Sequence, residues 1–160
     1  MSDFTIRSAQ PRESGLVLAL LYELADYEKL LDRFELTEAD VSRDITGPSA
    51  ICHCALAFAG EVPAGIATWL WTYKSFRARR SLYLEDLYVR PEFRGRGLGR
   101  RFLNWLAGLA LAEKAVAVEW QVLDWNTPSI DFYKSLGARP VEEWINYRLE
   151  GEALTALARS

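Results

Sequence analysis

The segment spanning residues 82–101 constrains the fold more than any other part of the chain. It opens with an apolar run typical of a β-strand, passes through glycines at positions 95, 97 and 99, and leads into a sequence with helical spacing. Glycines in such a turn let the backbone approach a ligand closely. The first N–H groups of the following helix point outward, with the positive end of the helix dipole behind them. The segment therefore predicts a loop that binds a pyrophosphate, with an ordinary strand-to-helix turn as the alternative.

The spacing of the glycines indicates which class of pyrophosphate-containing ligand the loop could bind. A dinucleotide fingerprint G-x-G-x-x-G needs a third glycine where this chain has Arg100, and a Walker loop needs a lysine that is absent from this loop. What remains is the pattern Arg94-x-x-Gly97-x-Gly99.

Length and composition predict a single domain over residues 1–160, because half of the 160 residues are hydrophobic and can form one core. No uncharged apolar run reaches eighteen residues, and the N-terminus lacks the basic start and apolar run of a signal peptide. We therefore expect a cytoplasmic protein with no membrane partner.

Charge is distributed unevenly along the chain. Residues 22–44 hold eight acidic against three basic residues, whereas residues 74–101 hold nine basic against three acidic. This polarity suits a protein that receives a cation at one place and a polyanion at another, although two solvated surface faces would give the same counts. The net charge of −3 argues against nucleic acid as the main partner.

Cys52, His53 and Cys54 are the only cysteine and histidine residues of the chain. They supply at most three clustered ligands, and they lie in the apolar run of residues 50–59, which is typical of a buried strand. We expect no metal site.

Hydrophobic periodicity predicts a mixed order of strands and helices. Helices are expected at residues 15–27, 37–45, 98–113 and 130–136, with Thr37 as an N-cap. Strands are expected at residues 4–9, 51–59, 65–73, 82–89, 116–123 and 144–149. Because a helix separates residues 82–89 from residues 116–123, these two strands are predicted to form a parallel pair.

A second motif follows that pair, at residues 124–138. It resembles the N-x-x-(S/A)-x-x-x-Y-x-x-x-G region that GNAT acetyltransferases carry after the fifth strand, and Arg94-x-x-Gly97-x-Gly99 resembles their acetyl-CoA signature Q/R-x-x-G-x-G/A. Within that superfamily, the chain is similar to the spermidine/spermine (diamine) acetyltransferase branch. The similar runs are residues 23–28, 36–40, 53–54, 83–86 and 125–129.

This resemblance implies an α/β (α+β) GNAT fold with a mixed central sheet of about six to seven strands flanked by helices. The parallel pair would be splayed where acetyl-CoA, the co-substrate, binds. Members of the branch commonly form homodimers, so a homodimer is expected here.

The resemblance also implies two catalytic residues. An alkyl ammonium has a pKa of about 10.4, so a base must take a proton before the amine attacks, and Glu85 occupies the position assigned to that base. The departing thiolate needs a proton donor, and Tyr133 occupies the position of the catalytic tyrosine. Asp86 would face the opposite side of the strand unless a β-bulge, which the family has here, brings it to the site; a salt bridge is its alternative role.

Cofactor and substrate contacts carry over residue by residue. The residues expected at acetyl-CoA are Leu87, Tyr88, Val89, Arg94, Gly95, Arg96, Gly97, Leu98, Gly99, Arg100, Asn126 and Ser129. The residues expected at the amine are Tyr27, Glu28, Asp86, Glu119, Trp120 and Gln121.

One loop departs from the mammalian pattern of the branch. Ser75 replaces an expected acidic residue, with Lys74, Arg77, Arg79 and Arg80 around it. Fewer carboxylates weaken the case for a long polyamine, and a basic loop suits the α-carboxylate of a lysine-like or thialysine-like amino acid.

The sequence thus predicts an acetyl-CoA-dependent N-acetyltransferase that acts on a primary amine of a small molecule, a diamine or polyamine or a lysine-like amino acid, by direct attack in a ternary complex. Two alternatives stay open. One is acetylation of a protein or peptide amine, and the other is a non-catalytic acyl-CoA-binding regulator. Retention of both Glu85 and Tyr133 counts against the regulator, because binding alone requires neither residue.

Overall fold

The computed structural model describes residues 4–160. The chain divides into two compact units, Met1–Gln121 and Val122–Ser160. The prediction of one domain over residues 1–160 stays a prediction, and its first three residues lie outside the described part.

The first unit is built on a five-stranded mixed sheet in the order β1-β2-β3-β4-β5. Its strands are β1 (Phe4–Ser8), β2 (His53–Ala59), β3 (Val62–Lys74), β4 (Arg79–Val89) and β5 (Val118–Glu119). Its helices are α1 (Ser14–Tyr27), α2 (Glu38–Asp44) and α3 (Leu98–Ala112).

Helices α1 and α3 cover opposite faces of this sheet. The buried residues of α1 recur at helical spacing, from Val17 through Leu20 and Leu21 to Leu24, and they share one core cluster with Ile66 of β3. On α3, Phe102 approaches the position that a side chain at Gly65 would occupy. Since neighbouring strand residues point to opposite faces of a sheet, the two helices sandwich β3.

The start of α2 confirms the predicted cap. The Thr37 hydroxyl accepts a hydrogen bond from the Asp40 backbone N–H at 3.2 Å, and the Asp40 carboxylate accepts one from the Thr37 N–H at 3.1 Å. Arg43 then pairs with Asp40 at 2.9 Å and with Asp44 at 2.6 Å, which holds the short helix together on its exposed side.

The register of the sheet contains two features that shape a site. β4 and β5 are parallel, as predicted, but they pair only at Leu82↔Val118 and Tyr83↔Glu119, so β4 continues for six residues beyond its last partner on that edge. On the other edge, Thr68 pairs with Asp86 and Trp69 pairs with Leu84, which leaves Glu85 as the extra residue of a β-bulge.

The second unit contains two helices, α4 (Thr127–Ser135) and α5 (Gly151–Arg159). The predicted strand at residues 144–149 is wrong, because no ladder hydrogen bond forms there in the described structure and Trp144, Ile145 and Tyr147 are largely exposed. The described sheet therefore has five strands, fewer than the six to seven expected, since an apolar alternation becomes a strand only where a partner strand accepts its backbone hydrogen bonds.

None of the helices in residues 4–160 is long and apolar enough to cross a membrane.

Candidate active site

The glycine loop has the geometry of an anion cradle. Gly95 and Gly97 adopt positive φ angles of 71° and 80°, which favour glycine. A side chain built at either position would meet no atom within 4 Å, so the glycines face open space rather than a packed neighbour. Gly97 is also the N-cap of α3, and the first intrahelical bond runs from the Arg101 N–H to the Gly97 carbonyl. The N–H groups of residues 98–100 are thereby left for a ligand.

The arginines of this loop divide into two kinds. Arg94 and Arg96 are exposed and lie over aromatic rings, Arg94 at 4.6 Å from the Tyr27 ring and Arg96 at 5.0 Å from the Phe4 ring. Arg101 instead donates to the Phe4 carbonyl, so its guanidinium helps to hold β1 in place. Arg100 is exposed beside the free N–H groups.

The end of β4 leads into the cradle. Tyr88 is buried within the core, so its backbone alone is available to a ligand, and Leu98 is likewise buried at the start of α3. Arg94 Nε donates to the Val89 carbonyl at 2.9 Å. Along the edge of β4 that has no β5 partner, residues 84–89 keep backbone groups that a bound molecule can pair with, as another strand would.

The β-bulge places two carboxylates in the lining of one cavity. Asp86 lies opposite Thr68, whose hydroxyl donates a hydrogen bond to the Asp86 carboxylate, while Glu85 is exposed. Both residues line a cavity of about 730 Å³, together with Glu28 at the end of α1. The bulge expected from the family resemblance is confirmed, and it brings both neighbouring carboxylates to the same cavity.

The cavity is bounded by α1, the turn at Leu31–Arg33, α2 and β4, and its lining is strongly acidic. The acidic lining residues are Glu28, Glu35, Asp40, Asp44, Glu85 and Asp86, and the basic ones are Arg33 and Arg43. Apolar walls come from Leu21, Leu24, Ala25, Leu30, Phe34 and Leu36. An acidic end with apolar walls suits an alkyl ammonium, whose charge and methylene chain need different surroundings.

Mutual proximity alters how these carboxyls titrate. Partial burial raises the pKa of Asp86, although the hydrogen bond from Thr68 works in the opposite direction. Partial desolvation, and then the nearby Asp86 charge, raise the pKa of Glu85 and of Glu28. A raised pKa brings a carboxylate closer to the range in which it both accepts and releases protons near neutral pH.

Other residues expected at the amine lie elsewhere. Glu119 accepts hydrogen bonds from Lys74 and from the Ser81 hydroxyl at 2.5 Å, and its ion pair with Lys74 is 2.8 Å long. Glu119, Trp120 and Gln121 do not line the acidic cavity. Tyr27 is 42 % exposed at the end of α1, where its ring lies under Arg94 of the glycine loop, and it directly precedes Glu28.

The basic loop lies at the far end of the β3–β4 hairpin. The ladder runs from Thr68↔Asp86 to Lys74↔Arg79, and six residues of strand correspond to about 20 Å at about 3.4 Å per residue. Lys74 is paired with Glu119, and Arg80 lies 3.7 Å from Glu113. Within one chain, this loop is therefore too far from Asp86 to hold the carboxylate of a lysine-sized molecule whose amine lies at that carboxylate.

Tyr133 and two further predicted residues belong to the second unit. Tyr133 lies within α4, with its ring 5.5 Å from that of Phe132. Asn126 is the N-cap of that helix, and its side chain accepts a hydrogen bond from the Ser129 N–H at 3.4 Å. This capping explains why Asn126 is buried and gives it a structural role that is independent of any ligand.

The two cysteines are poor nucleophiles in this setting. Burial, followed by the Asp86 charge, raises the pKa of Cys52 to about 11, and burial raises the pKa of Cys54 further. Among residues 4–160, no group of three or more His, Cys, Asp or Glu side chains is arranged to hold a metal ion.

A strand that leads into an anion cradle, together with an acidic cavity that the same strand lines, is the arrangement of a transferase that moves a group from a phosphate-bearing donor to an amine. The chain belongs to the acetyltransferase (GNAT) family, whose model matches residues 18–138. It is an N-acetyltransferase, and the superfamily and diamine branch predicted from sequence are both confirmed by its relatives.

The chain is similar to two acetyltransferases in sequence and to a further protein in structure. Thialysine N-epsilon-acetyltransferase of Sus scrofa is 36% identical over 169 residues, covering 99% of each chain. Spermidine/spermine N(1)-acetyltransferase-like protein 1 of Homo sapiens is 34% identical, covering 99% of this chain and 24% of that protein. The structure of an integron cassette protein, VCH_CASS6, from the mobile metagenome of V. cholerae superposes with a TM-score of 0.84 at 26% identity, covering 100% of this chain and 99% of that one.

Sequence reasoning missed the contribution of the segment from Leu30 to Asp44 to the cavity. The excess of acidic residues at 22–44 was the available signal, but it did not say which of these side chains face β4.

Proposed function

We propose that this chain transfers the acetyl group of acetyl-CoA to a primary amine of a small molecule that binds in the acidic cavity. The observation that carries the proposal is the lining of that cavity, in which Glu28, Glu85 and Asp86 lie together at the β-bulge. The volume of about 730 Å³ falls within the range of about 300–1,000 Å³ that small-molecule sites occupy.

The residues of the glycine loop fit acetyl-CoA, which supplies the acetyl group as a thioester. The open positive-φ glycines and the free N–H groups at the start of α3 suit its pyrophosphate, and Arg94, Arg96 and Arg100 add positive charge at the surface around them. Leu87 and Val89 offer backbone groups to the extended arm of the donor. Asn126 and Ser129 are proposed as further contacts on the strength of the family motif.

Glu85 is proposed as the base. The amine arrives as an ammonium ion, and Glu85 accepts its proton, through a water molecule or directly, so that the nitrogen lone pair is free to attack the acetyl carbon. The raised pKa of Glu85 makes the carboxylate a stronger base than an ordinary surface glutamate. Asp86 and Glu28 hold the positive charge of the substrate nearby, while partial burial and then the Asp86 charge keep the pKa of Glu85 raised.

Tyr133 is proposed as the acid. As the new amide bond forms, the carbon–sulfur bond of the donor breaks and the sulfur leaves as a thiolate. The Tyr133 hydroxyl gives its proton to the sulfur, which yields free CoA thiol. The second proton of the attacking nitrogen leaves as the amide forms, and Tyr133 regains a proton from solvent. The support is the position of Tyr133 on α4 seven residues after the Asn126 cap, as in the family motif.

Direct transfer between the two bound substrates is the mechanism that these residues favour. An acyl-enzyme needs a nucleophile, and the raised pKa values of Cys52 and Cys54 keep both thiols protonated at neutral pH. The reaction therefore proceeds in a ternary complex, with Tyr27 as a further contact for the amine. Weaker candidates for such a contact are Glu119, Trp120 and Gln121.

We propose a cytoplasmic location, as expected from the sequence, and a homodimer, as implied by the family resemblance. The homodimer is tested by the molar mass in solution from light scattering after gel filtration, for which a mass near 18 kDa would indicate a monomer.

The experiment that tests the proposed function is release of free CoA thiol from acetyl-CoA, scanned across polyamines, short diamines, lysine, thialysine, aminoglycosides and a basic peptide. We expect release with at least one small amine and none without an acceptor. Release with the peptide alone would favour a protein acetyltransferase. Binding of acetyl-CoA without release in any mixture would favour a regulator.

A further inference from the structure

One basic side chain in the lining of the acidic cavity has no carboxylate partner in the described part of the chain. Arg33, the last residue of the turn at Leu31–Arg33, lines the cavity together with Glu28, Glu85 and Asp86. In the described part of the chain, no carboxylate lies within 4 Å of its guanidinium, and its side chain donates no hydrogen bond to another residue. Its five N–H donors are therefore available to a bound molecule.

The second arginine of the cavity shows the contrast. Arg43 donates to Asp40 at 2.9 Å and to Asp44 at 2.9 and 2.6 Å, so its charge is already neutralised by its own helix. Apart from Arg43, Asp40 and Asp44, which pair with one another, the cavity lining has five ionisable groups. They are the carboxylates of Glu28, Glu35, Glu85 and Asp86 and the guanidinium of Arg33.

Such a lining distinguishes between two kinds of amine. A diamine or polyamine carries only positive charge, so an unpaired guanidinium in the same cavity repels it. An amino acid with a terminal side-chain amine carries one ammonium group at the end of its side chain and, at the other end, a carboxylate beside the α-ammonium group. A guanidinium binds a carboxylate with two parallel hydrogen bonds, a geometry that a lysine cannot reproduce.

Arg33 lies in the cavity itself, whereas the basic loop is too far from Asp86 to bind the carboxylate of the same small molecule. Residues 74–80 lie about 20 Å along the hairpin from Asp86, whereas Arg33 lines the same cavity as Asp86. A single small molecule can therefore contact both Arg33 and the carboxylates at the bulge.

We propose that Arg33 binds the α-carboxylate of an amino acid whose side-chain amine is directed to Glu85 and Asp86, and that Arg33 thereby selects such amino acids over diamines. This inference rests on the proposed function, because it assigns the substrate class of the same cavity.

The test uses substrate pairs that differ only in the carboxylate. Lysine is compared with 1,5-diaminopentane, ornithine with 1,4-diaminobutane, and thialysine with bis(2-aminoethyl) sulfide, and kcat/KM is measured for each with the wild type and with Arg33→Gln. We expect the wild type to prefer the amino acid of each pair. We expect Arg33→Gln to lower kcat/KM for the amino acids by roughly ten- to a hundredfold, the usual scale for loss of a charge-assisted hydrogen bond. The same variant leaves the diamines unchanged or improves them.

Two further variants separate recognition from general charge. Lys29→Gln removes one positive charge four residues earlier in the same connection, at a residue that does not line the cavity, and we expect it to leave the preference unchanged. Arg33→Lys keeps the charge but not the planar pair of donors, so we expect it to restore only part of the preference.

The outcomes are distinguishable. Equal losses for both members of a pair in Arg33→Gln, or a wild type that prefers the diamines, would overturn the assignment of Arg33 while leaving amine acetylation intact. A wild type that releases no CoA with any of the six amines would overturn the assignment of Arg33, and silence with the polyamines and aminoglycosides as well would overturn the proposed function.

Discussion

Thr68 and Asp86 lie directly opposite each other on neighbouring strands, and the Thr68 hydroxyl donates a hydrogen bond to the Asp86 carboxylate. This pair fixes the register on one side of the β-bulge, and Glu85 is the residue that the bulge leaves over. The Asp86 carboxylate is partly buried, whereas its neighbour Glu85 is exposed. We therefore propose different roles for these two adjacent acids of one strand: Asp86 as a charge that shapes the local electrostatic field, and Glu85 as the accessible base.

Asp86→Asn should stabilise the fold. The pKa of Asp86 is raised in the folded state, so the folded protein holds its proton more tightly than the unfolded chain does. Its contribution to stability is then present in full below the unfolded pKa of about 3.9 and is lost as pH rises through the folded pKa. Asn carries no charge, so the variant should unfold at a higher temperature than the wild type at pH 7 and at a similar temperature near pH 4. For a chain of this length, each 1 kcal/mol corresponds to about 2–4 °C.

The same variant should change the pH dependence of catalysis. Because the Asp86 charge raises the pKa of Glu85, its removal should move the acidic limb of the kcat/KM profile to lower pH. Thermal unfolding and pH profiles between pH 4 and 8 check both effects. A variant that is less stable than the wild type at pH 7 would show that the buried charge is better compensated than the structure indicates.

Glu85→Gln should remove the base without disturbing the fold, because Glu85 is exposed and is the unpaired residue of the bulge. We expect kcat/KM to fall by roughly a hundred- to ten-thousandfold, the scale for loss of a general base, with partial recovery at high pH as free amine accumulates. Glu92→Gln, an exposed residue outside the cavity, is the matched control and should retain the wild-type rate. A Glu85 variant with full activity would assign the base to another group.

Tyr133→Phe removes one hydroxyl and keeps the ring that contacts Phe132. We expect turnover to fall by roughly a hundredfold or more with little change in the unfolding temperature. Tyr147→Phe, at a position 91% exposed in the same unit, provides the comparison and should behave as the wild type. A near-wild-type rate for Tyr133→Phe would remove the tyrosine from the proposed mechanism.

Gly97→Ala tests the anion cradle. A side chain at φ 80° is strained, so the loop should move away from this conformation and the KM for acetyl-CoA should rise by roughly tenfold, which corresponds to about 1.4 kcal/mol. The KM for the amine should change little. Gly108→Ala, in the exposed interior of α3 with no atom within 4 Å of the added carbon, should leave both KM values alone and stabilise the helix by about 1 kcal/mol. Equal KM values for acetyl-CoA in both variants would contradict the assignment of the loop.

Local features of the site could be predicted from the sequence because local rules decide them. The glycines of the loop, the start of α3 at Leu98 and the Thr37 cap each depend on a few neighbouring residues. The bulge at Glu85 was expected from the family resemblance, and no pattern of residues 82–89 alone would have revealed it.

Features that depend on distant partners could not be predicted in the same way. The alternation of apolar and polar residues at 144–149 is typical of a strand. A strand forms only where a neighbouring strand accepts its backbone hydrogen bonds, and the local sequence does not reveal whether one is present. Glu119 was expected beside the substrate. The sequence did not indicate its hydrogen-bond donors, Lys74 and Ser81, because they come from two other strands. In the sequence, Arg33 is one of three basic residues in the acidic segment 22–44, and nothing distinguishes it from the other two. Its place in the cavity lining depends on the packing of α1 and α2 beside β4.

Acetyl transfer to a small amine can be tested by a competition experiment. The wild type is incubated with acetyl-CoA and equal concentrations of lysine, 1,5-diaminopentane, spermidine and a basic peptide, and the products are identified by mass spectrometry. We expect an added acetyl group on a primary amine of a small acceptor, and no such product with Glu85→Gln under the same conditions. Acetylation confined to the peptide, or no acetylated product in a mixture in which acetyl-CoA binds, would contradict it.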